Sequence, residues 1–218
     1  MKPACLIVGA GPGIGQSVAL AFAREGYAIA LAARHPARLE ELCRELAKDG
    51  TPTRSYAADA ADEASLRALF AAVRQDFAEL EVVIYNPAAH QPGKPTTLTG
   101  EQLAADFRVN VTGALVCAQE AAQTMKERGR GTILLTGGGF AHEPAANYAS
   151  LSLGKAALRN LTYSLAQELG AHGIHVATVT VYGFVQSGTR YDPARIADAF
   201  LRLHKQKPGH FQTELVFK

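Results

Sequence analysis

The stretch Gly9-Ala10-Gly11-Pro12-Gly13-Ile14-Gly15 follows the apolar run Ala4–Val8 and precedes residues 16–25, which have helical periodicity and no breaker. The run before it is short and β-branched enough to be a buried strand. Strand, glycine loop and helix in that order make a phosphate cradle. The chain must turn sharply there, and backbone N–H groups must approach a pyrophosphate at the positive end of a helix, which side chains would block. The plain alternative is a tight strand-to-helix turn without a ligand. Directly after the first strand of an alternating chain, the loop points to a dinucleotide.

Outward from this loop the same alternation continues. Strands are expected at 27–33, 53–58, 81–85, 131–136, 175–181 and 213–217. Helices are expected at 36–48, opened by Pro36, at 62–78, at 103–128 with a bend near Gly113, at 147–170, and at 193–204. Gly137-Gly138-Gly139 reads as a flexible turn, and Gly170 and Gly173 help to stop the helix before them. This pattern predicts an α/β fold: a doubly wound parallel sheet of about seven strands with helices on both faces, and ligands at the carboxyl ends of the strands. No linker divides the chain, so one domain is expected over 1–218.

Composition excludes several classes of function. Twenty-two Lys and Arg against 20 Asp and Glu leave the charge nearly balanced, and no basic run suits nucleic acid or an acidic membrane surface. Cys5, Cys43 and Cys117 are odd in number, far apart and without a CxxC pair. That suits reduced thiols in a cytoplasmic protein better than disulfides or a zinc site. Residues 1–7 start like a leader but reach the glycine loop too soon, and no segment approaches the ~20 apolar residues of a membrane span.

In dinucleotide folds the residue closing the second strand holds the adenosine ribose, an acid suiting a free 2′-hydroxyl and an arginine a 2′-phosphate. Here Arg34 stands at that point, followed by His35, with no acid. A guanidinium pairs with phosphate through two parallel hydrogen bonds, so Arg34 favours NADP(H) over NAD(H); the alternative is a solvated arginine at a strand end. Asp59, closing the third strand, is placed to accept from the adenine amino group or to cap the next helix, a role Asp62 fills better.

The glycines Gly9, Gly13 and Gly15 are spaced GxxxGxG, which resembles the loop of short-chain dehydrogenases/reductases. The resemblance covers nearly the whole chain. Asp59-Ala60 looks like that family's adenine-binding dipeptide and Val109-Asn110-Val111 like its helix asparagine. Lys155-Ala156-Ala157-Leu158 is similar to the active-site helix after its YxxxK motif, and Gly183-Phe184-Val185-Gln186-Ser187 to the loop that contacts the nicotinamide carboxamide. The resemblance implies cofactor contacts from Gly9, Gly11, Pro12, Gly13, Ile14, Gly15, Arg34, Asp59, Ala60, Asn86, Pro87, Ala88, Lys155, Tyr182, Gly183 and Val185. It also implies catalytic duty for Lys155 and Asn110, and a homodimer or homotetramer built on the long helices.

The same resemblance exposes departures. The family's tyrosine, four residues before the lysine, falls on Leu151, and its serine, thirteen further back, falls on Gly138. Its NNAG stretch reads Tyr85-Asn86-Pro87-Ala88, the threonine before the glycine loop is Val8, and the proline before Gly183 is Tyr182. The segment 187–196, where relatives carry a substrate-covering lid, is short. Tyr148 is the nearest replacement acid, seven residues before Lys155; that spacing allows a shared helix face but leaves ~10 Å along the axis. Tyr182 and His142 are further candidates, on loops at the carboxyl edge of the sheet. Backbone N–H groups at 137–139 offer themselves in place of the serine hydroxyl. Three readings follow: an atypical NADP(H) oxidoreductase acting on a small carbonyl, quinone or enone; an NADP(H)-binding sensor that has given up turnover; or a structural partner of an active relative.

Overall fold

The computed structural model describes residues 2–218; Met1, the start of the leader-like run, lies outside them. Seven strands form one parallel sheet: β1 (Ala4–Val8), β2 (Ala28–Ala33), β3 (Thr53–Ala57), β4 (Leu80–Tyr85), β5 (Gly131–Gly138), β6 (Ile174–Val181) and β7 (Glu214–Phe217). Their order is β3-β2-β1-β4-β5-β6-β7, so the winding reverses between β1 and β4, and a crevice opens there at the carboxyl edge.

Side-chain alternation along the strands divides the interior in two. Ala4, Leu6 and Val8 of β1 join Val83 and Tyr85 of β4 in one core. That core is covered by α3 (Glu63–Asp76), α5 (Gly113–Arg128) and α6 (Ala149–Gly170), through Leu66, Phe70, Met125 and Leu158. Cys5 and Ile7 face the other way with Val82 and Ile84, under α1 (Ile14–Arg24), α2 (Glu40–Lys48) and α7 (Pro193–His204), through Phe22, Leu46 and Phe200. Burial on both faces is why these strands read as unbroken apolar runs, the mark of a covered parallel sheet. Among the described residues no helix is long and apolar enough to cross a membrane.

Beside the 3₁₀ opening (Pro36–Leu39) of the helix expected over 36–48, two larger differences from the sequence expectation stand out. The helix expected over 103–128 is three pieces: α4 (Gly100–Phe107), a π-helical turn (Arg108–Thr112) and α5. Its true start is fixed by a reciprocal cap, in which Thr99 Oγ1 accepts from Gln102 N and Gln102 Oε1 accepts from Thr99 N. The second concerns Gly137 and Gly138, which are no flexible turn but the last two residues of β5, in register with Thr180 and Val181. A Cβ at Gly137 would lie 2.9 Å from Thr180 Oγ1, so glycine is required there for close strand approach rather than for mobility. Asp62 caps α3, its Oδ1 accepting from Ala64 N at 2.9 Å and Ser65 N at 3.3 Å.

A polar cluster closes the amino edge of the sheet. His204 Nε2 lies 2.7 Å from the Tyr27 hydroxyl and its Nδ1 lies 3.0 Å from Thr132 Oγ1, while Tyr27 donates to Glu81. Burial, with smaller contributions from His175 and Lys205, pulls the His204 imidazole down to about 4. A histidine depressed in the fold takes up its proton first in the unfolded chain. Stability is therefore full above the ordinary histidine range near ~6.5 and is lost as pH falls towards 4, by at most ~3 kcal/mol. Thermal melts between pH 7 and 4 should show this loss, and His204→Gln should flatten that part of the profile.

Candidate functional site

The crevice between β1 and β4 is a cleft of about 280 Å³ whose lining includes Gly9, Gly11, Arg34, Asp59, Pro87 and Val109. Gly9 (φ +81°) and Gly13 (φ +94°) occupy the left-handed region that glycine tolerates. At Gly9 a Cβ would lie 2.9 Å from Pro87 N, whereas Gly11 and Gly13 have nothing within 4 Å of the Cβ position. The loop is thus tight against the protein behind it and open in front. Gly13 starts α1 without a side-chain cap, and with Gln16 N donating to Gly11 O at 3.0 Å the N–H groups of Ile14 and Gly15 are left to an anion. Arg34 is exposed at the rim, and no ion pair among the described residues engages it. Asp59 is also exposed, its Oδ1 accepting from Ala61 N at 2.9 Å. A second cation missed by sequence reasoning, Arg38, lines a neighbouring cleft with Ala10 and Pro12; its position four residues after Arg34 is the only sequence signal. Cradle, open front and unpaired guanidinium together fit a phosphorylated dinucleotide.

Behind the cleft, one chain of hydrogen bonds runs across three strands. Asn86 Nδ2 donates to Gly9 O at 2.9 Å, Thr136 Oγ1 donates to Asn86 Oδ1 at 2.9 Å, and Lys155 Nζ donates to Thr136 O at 2.6 Å. The glycine loop and the lysine are therefore parts of one network. Lys155 is 6% exposed, and burial pulls its ammonium down to about 8. A Cβ at Gly138 would meet the lysine stem at 3.5 Å, an ordinary contact. Asn110, on the π-helical turn, clamps Ala89 in both directions: its Nδ2 donates to Ala89 O at 2.7 Å and its Oδ1 accepts from Ala89 N at 2.9 Å. Gly154 of α6 leaves room for that amide, since a Cβ there would lie 2.8 Å from Nδ2. Sequence reasoning missed Asp106, which is buried and accepts from Ser150 Oγ at 2.6 Å and from Gln91 N at 2.8 Å. Nothing local distinguishes it from a solvated helix acid.

Tyr148 stands at the N-cap of α6, with its ring stacked on Phe140 at 5.3 Å between centroids and tilted against His90 at 5.8 Å. No hydrogen bond joins it to Lys155, whose ammonium turns to Thr136 instead. Leu151 lies in the first turn of α6 and is half-buried. Tyr182 and His142, proposed separately from sequence, are in contact: His142 Nδ1 pairs with the Tyr182 hydroxyl. On its other side His142 Nε2 lies 3.2 Å from Glu214 Oε1. Burial works to raise the Glu214 carboxyl, but hydrogen bonds from Arg159, Thr180 and Tyr163 outweigh it and hold the group below its usual range. Gly183 packs against the Tyr191 ring, while Phe184 and Val185 are exposed, Phe184 at 81%.

Residues 3–192 match the family model described as short chain dehydrogenase. The chain is 28% identical to 2,3-dihydro-2,3-dihydroxybenzoate dehydrogenase of Bacillus subtilis over 80% of its own length and 67% of that protein's. It is 30% identical to dehydrogenase/reductase SDR family member 11 of Bos taurus, covering 97% of this chain and 88% of the other. The crystal structure of a metagenomic short-chain oxidoreductase in complex with NADP superposes with a TM-score of 0.90 at 25% identity, covering 98% and 96% of the two chains.

The depressed Lys155 makes a stability prediction. Below about 8 the folded protein keeps a buried ammonium at a cost that shrinks as pH rises towards the unfolded value near ~10.4. Lys155→Met should therefore raise the melting temperature at pH 7, by up to ~3 kcal/mol in stability, and the gain measured by calorimetry should narrow above pH 8.

Proposed function

The chain belongs to the short-chain dehydrogenase family, and from that footing we propose that this oxidoreductase transfers hydride between NADP(H) and a small carbonyl, quinone or enone. The observation that carries the choice of cofactor is Arg34: an exposed guanidinium on the cleft rim, without an acid beside it, where an NAD-preferring site needs a carboxylate. The NADP complex of the metagenomic oxidoreductase supports the same choice.

In this reading the pyrophosphate lies over Gly9, Gly11, Pro12, Gly13, Ile14 and Gly15. Arg34 takes the 2′-phosphate, and Asp59 and Ala60 take the adenine edge. Asn86, Pro87 and Ala88 wall the cleft, Tyr182, Gly183 and Val185 meet the carboxamide, and Lys155 hydrogen-bonds the nicotinamide ribose. Asn110 holds a relay water beside Ala89. The bound cofactor supplies or accepts the hydride; the chain's own residues orient it and manage the proton. Leu151 and Gly138 withhold the two family hydroxyls, so substrates that need little help with protonation suit this site best, since a general acid is worth ~10² to 10⁴ in rate. Those missing hydroxyls also favour a second reading, a cofactor-binding sensor without turnover. Tyr148 remains a candidate proton donor in the first reading. Leu153 at 51% exposed and Phe107 at 37% give α6 and α4 an apolar surface suited to a homodimer or homotetramer, and the three free thiols suit a cytoplasmic protein.

The test is NADPH oxidation by purified protein over aldehydes, ketones, quinones and enones, with NADH as control. Turnover with NADPH supports the enzyme; NADPH binding without turnover favours the sensor. Arg34→Asp should weaken NADPH binding by about 10- to 100-fold, the worth of one or two charge-assisted hydrogen bonds, and leave NADH binding nearly unchanged. Equal weakening of both would remove Arg34 from the phosphate site.

A further inference from the structure

A reduction needs a proton, and the family's positions for its donor hold no hydroxyl. A different hydroxyl stands at the same edge of the sheet. Gly138 and Val181 are register neighbours, so the segments that follow β5 and β6 leave the sheet side by side. On one of them Tyr182 lays its ring over Gly139, where a Cβ would come within 2.9 Å of Cδ1, so only glycine admits the ring in that pose. On the other, His142 closes the short turn Gly139–Ala141 and offers Nδ1 to the Tyr182 hydroxyl. Its Nε2 reaches Glu214 Oε1 at 3.2 Å. Glu214 is itself fixed by Thr180 Oγ1 at 2.6 Å, Arg159 Nη2 at 2.8 Å and the Tyr163 hydroxyl at 3.1 Å. Those three donors already compensate the buried carboxylate, so its contact with His142 is not needed to satisfy it. The imidazole uses one nitrogen for a hydroxyl and the other for an acid, the geometry that orients a proton-transferring histidine.

We propose that Tyr182 is the proton donor of the reduction, re-protonated by His142, with Glu214 holding the imidazole in place and steadying its positive charge. This rests on the oxidoreductase reading above. The carbonyl carbon receives the hydride given up by reduced nicotinamide, the C=O π bond breaks, and the oxygen takes the Tyr182 proton. The phenolate then takes the Nδ1 proton of the His142 imidazolium, and His142 regains one from solvent. Tyr182 touches the reacting atoms; His142 and Glu214 are positioning and supplying groups. The charged neighbours are Lys218, whose Nζ lies 4.4 Å from the centre of the Tyr182 ring, Arg159 against Glu214, Glu143 next to His142 in the chain, and Lys155 beyond Gly138.

The experiment compares wild type, Tyr182→Phe, His142→Gln and Tyr148→Phe in NADPH binding by fluorescence and in turnover against pH, and follows the His142 ring by NMR titration without cofactor. Tyr182→Phe keeps the ring and main chain assigned to the carboxamide, so NADPH binding should weaken by no more than a few-fold while kcat falls about 100-fold or more. His142→Gln should lose less and abolish the limb of the kcat profile that falls as the imidazolium deprotonates, and Tyr182→Phe should shift the His142 titration. Wild-type turnover unchanged in Tyr182→Phe, or a loss confined to Tyr148→Phe, overturns the relay and leaves the oxidoreductase reading standing. A His142 titration indifferent to Tyr182→Phe overturns it also. Absence of turnover in wild type overturns both.

Discussion

The hydrogen bonds from Gly9 O through Asn86 and Thr136 to Lys155 tie this molecule's two functional ends together. They join the carboxyl ends of β1, β4 and β5 and extend to α6, so neither the glycine loop nor the lysine can shift without breaking a bond that is part-buried at Asn86 and buried at Lys155. An unmade buried hydrogen bond costs more than a made one contributes, which makes such a chain a constraint on position. The parallel sheet supplies the setting: both faces are covered, and the carboxyl edge is where functional groups meet the opening at the switch point.

Much of the fold was legible in the sequence because its signals are local. β1 and α7 run over the expected residues, and the Asp62 cap and the glycine loop were visible from spacing alone. What misled was chemistry whose meaning depends on the partner. Three consecutive glycines look like a hinge until Thr178 and Thr180 press against the first of them, and then they are close packing. A helix with a mid-point glycine looks bent, but the break is a π-helical turn that carries Asn110 to Ala89, and an extra residue in a turn has no sequence signature.

The site was legible to the same extent. Gly9, Gly13, Arg34 and Asp59, picked out by counting, come together at the glycine loop and the cleft in front of it. The contact between His142 and Tyr182, forty residues apart, and that between Asp106 and Ser150, forty-four apart, could not. Each side chain alone is ordinary; the sheet order makes them neighbours. The proposed proton donor sits where local signals are weakest, on a segment that leaves the sheet at its carboxyl edge.

The most direct test of the account is a crystal structure of the protein grown with NADP(H). The pyrophosphate should lie over Gly11 and Gly13, the 2′-phosphate against Arg34 and the nicotinamide ribose within hydrogen-bonding reach of Lys155 Nζ. A cofactor bound elsewhere, or one whose 2′-phosphate turns away from Arg34 into solvent, would contradict it.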